Sequence, residues 1–220
     1  MDQIDYMTVV QPVQEITLVA RGRASPWREL LVAQGFQADS IGHTVEIIMS
    51  ATKAVYLGSR FREFSVSIRT GERQFFLCHA YNSLRLFALA ERRFFRTPYF
   101  FANIEVANHR IALRQQGKHI FKAILPTHAQ KIGKRQETHE WKIHLPKAFR
   151  NAHNSPHYFF ARLEGDTTYF TGDCAELEFP HPSPDPIMER LQQSNLQVIN
   201  WMVRPKARHS KSRTVDAIPE

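Results

Sequence analysis

Val45-Glu46-Ile47-Ile48-Met49-Ser50 and, beyond the turn Leu57-Gly58-Ser59, Phe61-Arg62-Glu63-Phe64-Ser65-Val66-Ser67-Ile68 are the stretches that decide how this chain folds. In the first, Val45, Ile47 and Met49 alternate with Glu46, Ile48 and Ser50; in the second, Phe64, Val66 and Ile68 alternate with Glu63, Ser65 and Ser67. A period of two puts alternate side chains on opposite faces of a β-strand, so each stretch predicts a strand with one apolar and one more polar face. Glu46 and Glu63 fall on the polar faces. Gly71-Glu72 then turns the chain into a strand over residues 74–79, a hairpin partner for the one before it.

Working outward, residues 15–23 read as a strand. Ser25-Pro26-Trp27 opens a helix through Gln34, with Ser25 as N-cap, Pro26 at the first helical position and Gly35 as the stop. Over residues 83–95 the period lengthens: Leu84, Phe87, Ala88 and Glu91 share one helical stripe, Asn82 or Ser83 can cap the start, and Pro98 ends the helix. Residues 99–107, 110–114, 118–125, 137–145, 157–164, 167–171 and 175–179 all read as strands separated by turn signals such as Gln116-Gly117 and Gly165-Asp166. A Pro-rich linker over 179–186 leads to a short helix over 187–193, and the polar, basic stretch from Arg204 onward reads as disordered. Many short strands with few helices predict a mainly β (α+β) fold, an antiparallel sheet closed or nearly closed into a barrel. The expected organisation is one domain over residues 1–203 and a basic, disordered tail over 204–220.

The bulk of the chain excludes several classes. Its 220 residues are 43% hydrophobic, enough for a sizeable core, yet no apolar run approaches the about 18 residues of a membrane span. Met1-Asp2-Gln3-Ile4-Asp5 lacks a basic, then apolar, leader, so a cytoplasmic protein without a membrane partner is expected. Cys78 and Cys174 supply neither a disulfide framework nor a C-x-x-C pair. The net charge of +8 permits contact with nucleic acid or an anionic surface without requiring it, and Arg204, Lys206, Arg208, Lys211 and Arg213 concentrate part of it at the end of the chain.

The Val45 to Met49 strand followed by Leu57-Gly58-Ser59-Arg60-Phe61-Arg62-Glu63 resembles the acetoacetate decarboxylase family, whose chains carry a Glu-Ile strand and then a Gly, aromatic, Glu turn. Ala88-Leu89-Ala90-Glu91-Arg92-Arg93-Phe94-Phe95-Arg96-Thr97-Pro98-Tyr99-Phe100-Phe101-Ala102 looks like the family's Gly-Arg-Glu segment leading to Tyr-Pro-Lys-Lys-Leu, and more like a branch without the Schiff-base lysine that has an Ala-Arg-Arg-Phe and Pro-Tyr pattern. The resemblance covers residues 14–125 and implies a cone-shaped barrel that commonly assembles into homo-oligomers. It places Glu46 and Glu63 in the pocket, Gln14 where the family has a pocket arginine, and Arg92 on the arginine of Gly-Arg-Glu. Tyr99 and Phe100 stand where the family has two lysines, one forming the Schiff base and one depressing its pKa. Imine formation needs an unprotonated amine, which neither a phenol nor a benzyl ring can supply. Lys53, Lys118 and Lys122 are candidates to replace it, although a lone strand lysine is more often solvated.

Other chemistry is thinly represented. His139-Glu140-Trp141-Lys142-Ile143-His144 puts its histidines on opposite faces of a strand, and His153 to His157 is interrupted by Pro156, so neither supports a metal site. His79 is the histidine to inspect first. No Ser/His/Asp arrangement or phosphate-binding glycine loop occurs. The leading expectation is therefore a pocket bordered by Glu46, Glu63, Arg92 and Tyr99, with Gln14 and Phe100 also contacting the ligand. It would bind a small polar or keto-acid-like metabolite without Schiff-base decarboxylation and without a metal or cofactor. Two alternatives follow: a lyase, hydratase or tautomerase using Glu46 and Glu63 as acid and base with Tyr99 as electrophile, and, less favoured, a nucleic-acid-associated protein acting through its arginines and tail.

Overall fold

The computed structural model describes residues 4–37, 41–149 and 157–216. In chain order these form β1 (Tyr6–Arg23), α1 (Ser25–Ala33), β2 (Thr44–Tyr56), β3 (Ser59–Gly71), β4 (Gln74–Asn82), α2 (Arg85–Phe94), β5 (Tyr99–Phe101), β6 (Asn103–Ala107), β7 (Arg110–Gln115), β8 (Lys118–Ile124), β9 (Lys131–His144), β10 (His157–Thr171), β11 (Glu176–Glu178), α3 (Pro186–Gln193), β12 (Gln197–Ser212) and β13 (Val215–Asp216). Strands neighbour one another in the order β12, β1, β2, β3, β4, β9, β10, and β10 pairs again with β12, so the large sheet closes into a ring. A smaller sheet, in the order β11, β8, β7, β6, lies against its outside.

The alternation seen in the sequence assigns the two faces of the ring. Ile16, Leu18, Ile47, Met49, Phe64 and Val66 point outward and are buried against Ile104, Ile111, Leu113 and Phe121 of the small sheet. The hydrophobic core thus lies outside the barrel, between two sheets, and the polar set of each strand points into it. α1 and α3 close one side of that core with Trp27, Leu31, Met188 and Leu191, and the Trp27 indole donates to Ser194 Oγ at 2.7 Å. Asp185 caps α3 by accepting from the backbone N–H groups of Ile187 and Met188.

Three expectations are corrected. Ser25 is not an N-cap: that position is Ala24, without a side-chain cap, and Ser25 begins the helix. The strands expected over 157–164 and 167–171 are one strand, β10, which passes through Gly165 at a φ of 156°. Most consequential, the stretch from Arg204 is no disordered tail as far as Ser212. It is the second half of β12, hydrogen-bonded to β1 on one edge and β10 on the other, and it completes the ring. Its polar composition is that of a strand whose inner face lines a polar interior. Residues 217–220 and 153–156, the latter including His153 and Pro156, lie outside the described residues.

Candidate functional site

The ring encloses a cavity of about 1180 Å³. Each wall strand contributes every second residue: Val13, Glu15 and Thr17 from β1, Ser50 and Thr52 from β2, Phe61, Glu63 and Ser65 from β3. Across from them β12 supplies Arg204, His209 and Lys211. Arg204 and His209 are an odd number of residues apart, so strict alternation would send one of them outward. A register shift solves this: Val13 faces Ala207 while Glu15 faces Arg204, which leaves an extra residue on β12 around Pro205. Proline in a strand is tolerated at a bulge, and here the bulge turns His209 and Lys211 to the same side as Arg204.

Glu15 sits among donors. Its Oε1 accepts from Thr17 at 2.6 Å and Ser50 at 2.9 Å, its Oε2 lies 2.7 Å from His209 Nε2, and Arg204 Nη1 is 3.5 Å away. Burial alone would raise its pKa, but the charges of Arg204 and His209 and these hydrogen bonds hold the carboxyl well below the usual range. Arg204, itself buried, also donates to Thr17 and Thr167 and lies 3.6 Å from Glu137, whose other oxygen accepts from Tyr169.

Glu63 has the opposite setting. Thr52 faces Glu15 on one side and Glu63 on the other, so the two acids share one row of the barrel, about 10 Å apart at ordinary strand spacing. Asn82 Nδ2 donates to Glu63 Oε1 at 2.9 Å and the Tyr99 hydroxyl to Oε2 at a long 3.4 Å. Burial first, and then the negative charge of Glu91, push the Glu63 pKa up to about 7 against the opposing influence of Lys211, Asn82 and His209. Burial together with Glu63 and Glu91 raises Tyr99 well above its ordinary value, so it stays a phenol. Lys211 Nζ donates to Glu91 Oε2 at 2.5 Å and lies over the rings of Phe95 and Phe159. α2 closes this end of the cavity with Phe87, Glu91 and, just beyond its last turn, Phe95.

The expected site residues divide accordingly. Glu46, Glu63 and Tyr99 face the cavity, but Glu46 does not meet Glu63. It stands six residues back along β2, opposite Arg69, about 20 Å from the Glu63 row. There it pairs with Arg69 at 2.6 Å near solvent. The acid and base pair expected from these two residues is not assembled. Gln14 and Phe100 lie outside the cavity because their strand neighbours take the inward positions, and Arg92 because Glu91 is on the inner side of α2. Gln14 donates to Asn108 at 2.8 Å, Phe100 stacks on His79 at 4.5 Å, and Arg92 lies on the exposed side of α2 over the Phe100 ring. His79 belongs to that outer core too, 3.9 Å from Asp185, which accepts from the Tyr81 hydroxyl.

Lys53 and Lys118 are exposed, and Lys122 pairs with Glu178. None of the three supplies an amine to the cavity, whereas Lys211 does. Sequence reading missed Glu15, Glu91, Arg204, His209 and Lys211. The first carries the inward parity of β1, a readable signal; the last three were hidden by Pro205 and the charged composition around it. Among the described residues no three His, Cys, Asp or Glu side chains converge as metal ligands would.

A closed sheet, antiparallel except where β4 meets β9, with its apolar core outside and ionisable groups among apolar ones inside, defines a barrel protein built around a central cavity. Solved structures similar in fold are acetoacetate decarboxylase from Legionella pneumophila subsp. pneumophila str. Philadelphia 1, at a TM-score of 0.58 and 12% identity over 99% of this chain and 90% of that one, and an acetoacetate decarboxylase-like enzyme from Sphingomonas wittichii RW1, at 0.57 and 12% over 96% and 93%. This chain therefore has the acetoacetate decarboxylase fold, as the resemblance of residues 14–125 implied. No family model and no curated protein matches the sequence.

Proposed function

We propose that the α2 end of the cavity binds a small keto-acid-like metabolite without forming an imine. The observation that carries this reading is the cluster of Glu63, Tyr99 and Lys211, in which a carboxyl poised near neutrality, a phenol and a basic amine face one cavity. Lys211, held by Glu91 at 2.5 Å, is the basic group that a ligand carboxylate would meet at this end of the cavity. Tyr99 donates a hydrogen bond to the carbonyl oxygen, and protonated Glu63 supplies a second donor. The amine of an imine-forming enzyme has no counterpart at Tyr99 or Phe100.

A second reading is favoured by the Glu63 value alone: a carboxyl titrating near 7 both takes and returns protons at physiological pH, as a tautomerase, hydratase or lyase requires. In that case Glu63 works with Tyr99, and Glu46 has no part.

A thermal-shift panel of 2-oxo and 3-oxo acids tests binding. A ligand at about 100 times its Kd adds roughly 2.7 kcal/mol of stability, and Lys211→Met or Glu63→Gln should remove that gain. Borohydride treatment with acetoacetate, read by intact mass, should leave the chain unmodified. A reduced adduct on Lys211 would refute the non-covalent reading.

A further inference from the structure

At the α2 end, the barrel carries an exposed apolar surface that begins at the cavity's rim with Leu57. Val55, Leu57, Leu86, Leu89 and Phe94 are between 51% and 85% exposed there. Leu86, Leu89 and Arg93 follow one stripe of α2, and Arg85 and Arg92 flank it on the same exposed side. Val55 lies at the end of β2 and Leu57 in the turn to β3, and this end of the hairpin is joined to the helix because Phe87 of its inner face packs on Phe61 and Ser83 donates its backbone N–H to the Arg62 carbonyl. Around these apolar side chains stand Lys53, Arg60, Arg62, Arg85, Arg92 and Arg93, all exposed. The acids next to them in sequence, Glu63 and Glu91, both turn into the cavity. The exposed charged side chains of α2 and of the adjoining end of the β2 to β3 hairpin are consequently all basic.

We propose that this end docks on an anionic phospholipid surface, with the leucines and Phe94 entering the headgroup boundary and the arginines meeting lipid phosphates. Basic residues interspersed with exposed Leu and Phe on a short helix are the requirement for lying on such a membrane. A second copy of the chain fits less well, because it would bring two arginine clusters of the same sign together. Nucleic acid accounts for the arginines but not for five exposed apolar side chains beside them. No helix among the described residues is long and apolar enough to cross a membrane, so the contact is with a surface. A search for spanning runs passes over a face of this kind.

Cosedimentation of the full chain with vesicles of pure phosphatidylcholine and with vesicles containing about one quarter phosphatidylglycerol tests the proposal. Binding should be at least about ten-fold stronger to the anionic vesicles and should weaken with salt. Arg92→Glu with Arg93→Glu, and separately Leu86→Ser with Leu89→Ser, should each lower it by about ten-fold or more while circular dichroism shows the chain still folded. Leu57→Ser, on the turn, provides a variant independent of the helix and should also weaken it. Equal binding to both vesicle types, no binding to either, or anionic binding untouched by the variants overturns the proposal. So does self-association abolished by Leu86→Ser with Leu89→Ser in the absence of vesicle binding, or preferential capture of a short DNA duplex.

Discussion

Glu15 and Glu63 are the same residue type, on one row of one barrel, the first buried and the second partly so, and their protonation runs in opposite directions. The difference lies in what each meets. Glu15 collects a guanidinium, an imidazole and two hydroxyls and is locked as an anion. Glu63 collects an amide and a distant phenol, and the nearest cation, Lys211, is already committed to another carboxylate, Glu91. Burial by itself disfavours both anions; the count and proximity of donors decide which one survives as an anion. A barrel interior can thus hold a structural carboxylate and a proton-exchanging one about 10 Å apart.

The most damaging way to break this contrast is to remove the cation that holds Glu15. Arg204→Met leaves the buried Glu15 and the partly buried Glu137 without their shared guanidinium and should cost about 3 kcal/mol in urea unfolding at neutral pH. Adding Glu15→Gln to it should recover part of that loss, since the buried charge is then gone.

Opposite pH slopes sharpen the contrast. Glu63 is raised from 4.5 to about 7, so between these values the folded chain keeps a proton that the unfolded chain has released, and stability falls as pH rises through that window. Glu63→Gln should abolish the slope and stabilise the protein by on the order of 2 kcal/mol at about pH 8, with little effect below pH 5. Glu15 is depressed, so its stabilisation is present above its ordinary value of 4.5 and is lost as pH falls below it. Glu15→Gln should flatten only that acid limb of a stability profile. The smallest change expected is for Tyr99→Phe: a 3.4 Å hydrogen bond is worth about 0.5 kcal/mol, and chemical denaturation should detect little more.

How much of this was legible in the sequence differs along the chain. β2 and β3 declared themselves because each needs a fully apolar outer face against the second sheet, and the same parity placed Glu46 and Glu63 on the inner face correctly. Parity gives the face but not the row, which is why their separation of six residues along paired strands was not read as a distance. Gln14 and Phe100 were assigned by motif position, whereas alternation puts Val13, Glu15 and Tyr99 inside in their place. β12 was illegible for a physical reason. A strand that lines a polar cavity on one side, and carries a proline at a bulge, has the composition of a disordered basic tail. Only pairing with β1 and β10 distinguishes the two, and long-range pairing leaves no local signature.

The direct test of the account is the titration of the glutamate side chains by carboxyl-labelled NMR, with Glu63→Gln and Glu15→Gln used for assignment. Glu63 should titrate with a midpoint near 7 that moves higher in Lys211→Met, while Glu15 remains ionised across the whole range above its ordinary 4.5. If both carboxyls instead titrate together around 4.5, the two settings are equivalent and the contrast on which the proposed site rests is wrong.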